Sequence, residues 1–238
     1  MRLASALFLV LALAPTLGAQ RSAPATAPAD AWRQFRGTPN LTGVSASTPP
    51  ATLKVLWAYD VKDVVDSSAA IADGVVYIGG GNGDLLALDF ASGKLRWKYT
   101  TGNLNGESFP AVGDGVVYIG DLGGIFHAVN SKDGSRLWTF QTGSEIKASP
   151  VIVGDVVLAG SYDSHLYGLD AKTGKPRWKV QTNGMVHATP AVLNGIAFIA
   201  GCDSILRAIR VADGKEVYQI ESGAYTGASP LIDAGRAY

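Results

Sequence analysis

Residues 87–97 read ALDFASGKLRW, and the phrase returns as AVNSKDGSRLW at 128–138, GLDAKTGKPRW at 168–178 and AIRVADGKEVY at 208–218. A phrase rewritten at this interval restricts the chain to a solenoid, a propeller or a tandem array. The anchors form a grid. Trp57, Trp97, Trp138, Trp178 and Tyr218 are separated by 40, 41, 40 and 40 residues. Ala70, Pro110, Pro150, Pro190 and Pro230 recur every 40. Gly93, Gly134, Gly174 and Gly214 follow the same spacing.

Each unit holds four short strand-like runs. In the first they are AAIAD, VVYIGG, LLALDF and KLRWKYTT, and the later units repeat them. The runs are rich in β-branched residues and separated by Gly, Asp and Asn. No segment keeps a helical period. Gly is abundant at 29 residues and charged residues make up only 17%, which suits many strands joined by tight turns. Four antiparallel strands per repeat of about 40 residues predict an all-β fold, a β-propeller of four-stranded blades. The blades are expected at about 69–104, 109–144, 149–184 and 189–224, with a partial blade at 229–238. LKVLWAYDV (53–61) reads as a fourth strand without three before it, hence as a closing strand.

The phrase spans the third strand, a hairpin and the fourth strand. Its hairpin Gly suits a left-handed backbone, and its Asp or Asn suits bonding to the turn. The Trp is expected to lie against a small residue of a neighbouring blade, and Ala87, Ala128, Gly168 and Ala208 are small at the phrase's first position. Burying such a ring removes roughly 150–250 Å² from water. The fourth copy carries Arg210 in place of Asp and Tyr218 in place of Trp, so weaker docking is expected there with the fold intact.

These four copies closely resemble the tryptophan-docking motif of the pyrroloquinoline-quinone-type β-propeller repeat, the quinoprotein alcohol dehydrogenase-like superfamily. The resemblance covers residues 57–238, and WRQFRG (32–37) is similar to a lead-in common in that superfamily. It implies a parent ring of seven or eight blades, so the sequence is expected to be a fragment forming an incomplete ring.

The start of the chain reads differently. MRLASALFLVLALAPTLGAQ has a basic residue, an apolar run and small residues at 18–19, the pattern of a signal peptide cleaved after Ala19. Residues 20–31 are rich in Ala and Pro, and a disordered leader is expected there. The propeller repeats are assigned to 32–238. A periplasmic or secreted protein follows, without a membrane span, and without a lipid anchor because no Cys lies near the cut. Cys202 is the single cysteine, so no internal disulfide framework is expected. Twenty basic residues balance 20 acidic ones. No basic stripe appears, which argues against nucleic acid.

Chemistry on a propeller is expected at the mouth of its central channel. The loops that lead into each innermost strand align Ser67, Glu107, Lys147, His187 and Gly227 at one repeat position. The loops between second and third strands add Asn82, Asp121, Tyr162, Asp163, Cys202 and Asp203. Ser67, Glu107, Lys147, His187, Asp121, Tyr162, Asp163 and Asp203 are therefore the binding candidates, weighed against the alternative of ordinary solvated loop residues. Oxygens from this set could hold calcium, although no compact ligand run such as an EF-hand loop is present. GGGNGD (79–84) lacks the Lys-Ser/Thr of a phosphate loop and reads as a hairpin turn. No Gly-x-Ser-x-Gly elbow occurs, and no catalytic residue or metal ligand is assigned.

Two functions compete. The chain looks like the superfamily branch that includes the outer membrane assembly factor BamB, which implies a non-catalytic exported scaffold acting through protein contacts on a propeller face. The alternative is a fragment of a dehydrogenase that oxidises an alcohol or sugar with pyrroloquinoline quinone and calcium. Enzymes of that kind resemble this chain less: they carry longer blades and many have an adjacent cysteine pair beside the cofactor. No cofactor is therefore expected, since a fold alone does not confer a function.

Overall fold

The computed structural model describes residues 31–238. The signal peptide and all but the last residue of the Ala/Pro leader lie outside the described residues. Each repeat forms one antiparallel four-stranded sheet in sequence order. The first blade is β1 (Ala70–Ala72), β2 (Val75–Gly79), β3 (Asp84–Asp89) and β4 (Leu95–Thr100). The second is β5 (Ala111–Gly113), β6 (Val116–Gly120), β7 (Ile125–Asn130) and β8 (Arg136–Gln141). The third is β9 (Val151–Val153), β10 (Val156–Ser161), β11 (His165–Asp170) and β12 (Pro176–Gln181). The fourth is β13 (Ala191–Leu193), β14 (Ile196–Ala200), β15 (Ile205–Arg210) and β16 (Glu216–Glu221). A hairpin of β17 (Ile232–Asp233) and β18 (Arg236–Ala237) begins a fifth unit. The sheets do not close into a ring.

Strand chemistry follows position within the blade. Second and third strands are sandwiched between neighbouring blades, so runs such as VVYIG and HLYGLD are buried on both faces. Fourth strands face solvent on one side, so RLWTFQ and PRWKVQ alternate. The apolar clusters accordingly lie between blades. Tyr77, Leu85 and Trp97 of the first blade meet Val117, Ile119 and Val129 of the second. Tyr118, Phe126 and Trp138 then meet Val157, Tyr167 and Leu169. Leu158, Leu166 and Trp178 meet Ile199 and Ile209.

The docking differs from the expected arrangement in one respect. Ala87, Ala128, Gly168 and Ala208 are not the neighbour's contact. They lie directly opposite Trp97, Trp138, Trp178 and Tyr218 within the same blade. Their small size lets the blade's own ring lie across the sheet, and a Cβ on Gly168 would fall 2.2 Å from the Trp178 ring. In every blade the ladder slips just past this residue, a bulge that turns the outer strand. The contact between blades is made by the grid glycine. Trp97 packs on Gly134, Trp138 on Gly174 and Trp178 on Gly214. Gly174 has φ 71°, and a Cβ there would sit 2.5 Å from the Trp138 ring, so the position needs Gly for both backbone and space. Each indole N–H then donates to the neighbour's hairpin: Trp97 to the Ser131 carbonyl at 3.0 Å, Trp138 to Ala171 at 3.1 Å and Trp178 to Val211 at 2.8 Å.

The hairpins themselves use two interchangeable caps. In DFASGK and DAKTGK the leading Asp accepts from the Ser92 or Thr173 backbone and hydroxyl and pairs with Arg96 or Arg177 at 2.6 Å. Those pairs hold Asp89 and Asp170 at about 2. In NSKDGS and RVADGK the Asp before Gly does the work, accepting from the backbone of Ser135 or Lys215. In the fourth hairpin Asp213 supplies the cap and also pairs with Arg210 at 3.1 Å.

Residues 53–61 form no ladder among the described residues. They run alongside the first blade, where Trp57, Tyr59 and Val61 pack on Val76, Leu86 and Leu88. Trp57 sits over Gly93 and donates to the Phe90 carbonyl at 2.9 Å. The stretch thus docks as a fourth strand would, without sheet partners. No helix among the described residues is long and apolar enough to cross a membrane.

Candidate functional site

Loops after each fourth strand lead to the inner strand of the next blade, and there they gather the mouth residues. Glu107, Lys147 and His187 come from three successive loops of this kind and converge. The Lys147 ammonium lies 3.8 Å from one Glu107 oxygen and His187 Nε2 lies 3.7 Å from the other. Tyr162, from the turn between β10 and β11, joins them: its hydroxyl is 2.6 Å from His187 Nδ1. Lys147 also lies over the Tyr162 ring at 5.2 Å, a cation–π contact. Burial holds the Tyr162 phenol above its usual value against the pull of Lys147. A cavity of about 280 Å³ opens beside the cluster, and Arg36, Asp66, Phe109 and Ser229 contribute to its walls.

The other candidates lie apart from this cluster. Ser67 donates to the Gly79 carbonyl at 3.0 Å and the adjacent Asp66 faces the cavity instead. Asp121, Asp163 and Asp203 are taken up within the fold. Each accepts from its own turn and from the loop leaving the preceding blade. Asp121 takes the Ile125 N–H at 2.8 Å and the Asn103 amide at 3.1 Å. Asp163 takes the His165 and Gly143 N–H groups at 3.1 and 2.7 Å. Asp203 takes those of Ile205 and Asn183 at 3.2 and 3.1 Å. A third-strand partner completes each: His127 at 3.1 Å, Tyr167 at 2.6 Å and Arg207 at 2.6 Å. These carboxylates staple one blade to the next at the mouth face. Burial alone would raise Asp121, but the bonds from His127, Ile125 and Asn103 outweigh it and hold the carboxyl below the usual range. The same balance, led by the Tyr167 hydroxyl, holds Asp163 low.

Sequence reasoning missed two sets of residues. Ser149, Thr189 and Ser229 precede the grid prolines, and their hydroxyls accept from the backbone of Phe109, Ser149 and Thr189, each 40 residues earlier. The hydroxyl before Pro in three successive copies was the available signal. Phe35 and Arg36 were missed because they reach the mouth from the WRQFRG lead-in, outside the repeat. Phe35 stacks on Phe109 at 4.7 Å and Arg36 lies over the Phe35 ring at 5.3 Å.

Comparison with known proteins places this geometry. Among solved structures, BamB from Moraxella catarrhalis is 23% identical, with a TM-score of 0.66 over 74% of this chain and 55% of its own. The quinohemoprotein alcohol dehydrogenase ADHIIG from Pseudomonas putida HK5 is 19% identical, with a TM-score of 0.70 over 88% of this chain and 44% of its own. A europium-containing methanol dehydrogenase is 13% identical, with a TM-score of 0.75 over 86% of this chain and 51% of its own. The chain spans about half the length of the solved structures it matches. At these identities the likeness is one of fold. No curated protein matches the chain. A family model described as "Outer membrane protein assembly factor BamB" matches residues 41–160 and again 142–237. The chain belongs to that family of pyrroloquinoline-quinone-type repeat β-propellers.

Proposed function

We propose that the chain is part of an exported, non-catalytic binding propeller of the cell envelope, in the periplasm or secreted, which contacts protein partners through its mouth face. The observation that carries this reading is the composition of that face. Its loops expose apolar side chains, Val64, Val65, Leu104, Met185 and Tyr225, around a polar centre where Glu107 faces Lys147 and His187. Exposed aromatic and aliphatic residues beside a polar centre suit a protein interface.

The residues gathered at the mouth give little support to the alternative reading with pyrroloquinoline quinone and calcium. Among the described residues no three His, Cys, Asp or Glu side chains come together to hold a metal ion. The Glu107 carboxylate faces the Lys147 ammonium and the His187 ring rather than an open oxygen cage, and calcium requires many oxygen ligands. The aromatic pair at the mouth, Phe35 and Phe109, is stacked on itself.

Two experiments test the reading. The purified full-length protein is titrated with pyrroloquinoline quinone and calcium, following absorbance and thermal midpoint. No shift is expected. A saturable rise in midpoint with dye-linked alcohol oxidation would make the protein a dehydrogenase. A photo-crosslinking residue is then placed at Tyr225 or Met185, and a control at Lys172 in the hairpin of the opposite face. Defined adducts from the first two positions alone support the reading; equal adducts from all three would overturn it.

A further inference from the structure

The inner strand of each blade turns one edge to the centre, and its central amide needs an acceptor there. Residues 32–41, WRQFRGTPNL, supply one to every blade in turn. The Ile71 N–H donates to the Trp32 carbonyl at 2.8 Å and Val112 to Arg33 at 2.7 Å. Ile152 reaches only a side chain, Gln34 Oε1, at 3.4 Å. Val192 donates to Pro39 at 2.6 Å and Ile232 to Asn40 at 2.9 Å. Inner strands from all four blades and the fifth hairpin therefore converge on one segment. Two side chains anchor it: Phe35 on Phe109, and Leu41, fully buried against Ala191 and Ile232. The segment thus bonds to the edges of five separate sheets, one inner strand at a time, and seats two apolar side chains between them.

The segment fits its groove imperfectly. Arg36 and Leu41 have φ of 53° and 57°, a left-handed backbone that residues with a Cβ rarely adopt. The chain folds back between them, with Gly37 N–H donating to the Gln34 carbonyl at 2.8 Å. That turn leaves the third blade without a backbone acceptor. The buried Gln34 Nε2 has no partner among the described residues, and such a donor buried alone is unfavourable. Exposed residues 43–56 follow the segment, giving it slack to leave.

We propose that the inner edges of the successive blades form a groove for a turned peptide, that residues 32–41 are its resident occupant, and that a free peptide of the same pattern takes this place when the resident is released. Because Phe35 and Arg36 also line the mouth cavity, exchange changes the mouth. The existence of the groove does not rest on the proposed function of the mouth face.

The test uses the full chain, folded before it is cut. A specific protease site is inserted after Thr48, and a fluorescent peptide of residues 32–41 is the probe. In the uncut protein the tethered segment competes at an effective concentration of order millimolar, so the peptide should bind at least about a hundredfold more tightly after cleavage. F35A and L41A peptides should bind about tenfold or more weakly than the parent sequence, as expected for removing a buried anchor. Equal binding to cut and uncut protein would overturn the proposal. So would equal binding of the variant peptides, or a cut protein that never exchanges its segment below its melting temperature. A cut protein that loses the segment yet keeps the uncut midpoint would also overturn it.

Discussion

Trp138 and Tyr218 occupy the same place in the second and fourth repeats, opposite the equivalent residues Ala128 and Ala208, yet their surroundings differ. Trp138 is packed on Gly174 and bonded to Ala171 of the next hairpin. Tyr218 is 46% exposed, on a strand whose every residue is exposed. The ladder within the two blades is the same, including the bulge. The packed ring is the one that meets the grid glycine and a hairpin carbonyl of the next repeat. A repeat protein of this kind gains stability one interface at a time.

The largest way to break the comparison is Trp138→Ala, which removes the ring and its bond together. It should lower unfolding stability by about 3 kcal/mol, measured by urea denaturation, whereas Tyr218→Ala should fall at the other end of the scale. Gly174→Ala attacks the same interface from the other side, where φ and space both require Gly. A loss of about 2 kcal/mol or more is expected, and the Trp138→Ala/Gly174→Ala double variant should lose less than the sum.

The staple at Asp121 sharpens the comparison, since it joins the first two blades through polar groups. Asp121→Ala leaves the buried His127 and the Asn103 amide without their acceptor and should cost about 2 kcal/mol. Its pH dependence has a definite sign. Folding holds this carboxyl below its usual value of 3.8, so the unfolded chain takes up the proton first as pH falls. The stabilisation is complete above about pH 5 and is lost as pH drops through the folded value. Stability of the parent should therefore fall more steeply than that of Asp121→Asn below about pH 4 in acid titrations followed by circular dichroism. The neighbouring His127, which also meets the Tyr99 hydroxyl at 3.0 Å, is left in place in both.

Ser149→Ala removes one hydroxyl clip at the inner strand and leaves the Phe109 N–H without an acceptor, for about 1 kcal/mol. Tyr218→Ala should stay within about 0.5 kcal/mol in this chain. A loss as large as that of Trp138→Ala would show that the exposed strand is covered in solution.

Much of this architecture could be read in advance because it depends on short-range chemistry repeated at a fixed interval. The phrase ending at Trp97 contains a strand, a turn and a strand, and neighbours a few residues apart decide all three. The mouth cluster was partly readable for the same reason: Glu107, Lys147 and His187 share one repeat position, so any ring of blades brings them together. What failed were contacts that cross the grid. The phrase suggests that Ala128 receives the ring of a neighbouring blade, whereas it lies opposite its own Trp138 ten residues on. Asp121, Asp163 and Asp203 look like free loop acids until the turn and the previous blade's exit loop supply their donors.

The sequence by itself determined the blade, its period, its hairpin caps and the residues able to dock, since these follow from alternation, turn chemistry and the size of single side chains. Only the tertiary structure decided which glycine each tryptophan meets and which acids are spent within the fold. It alone showed that residues 32–41 cross the inner strands of every blade. The reason is physical. Buried amides at a sheet edge take whatever acceptor space brings to them, and a segment outside the repeat carries no periodic signal of where it will lie.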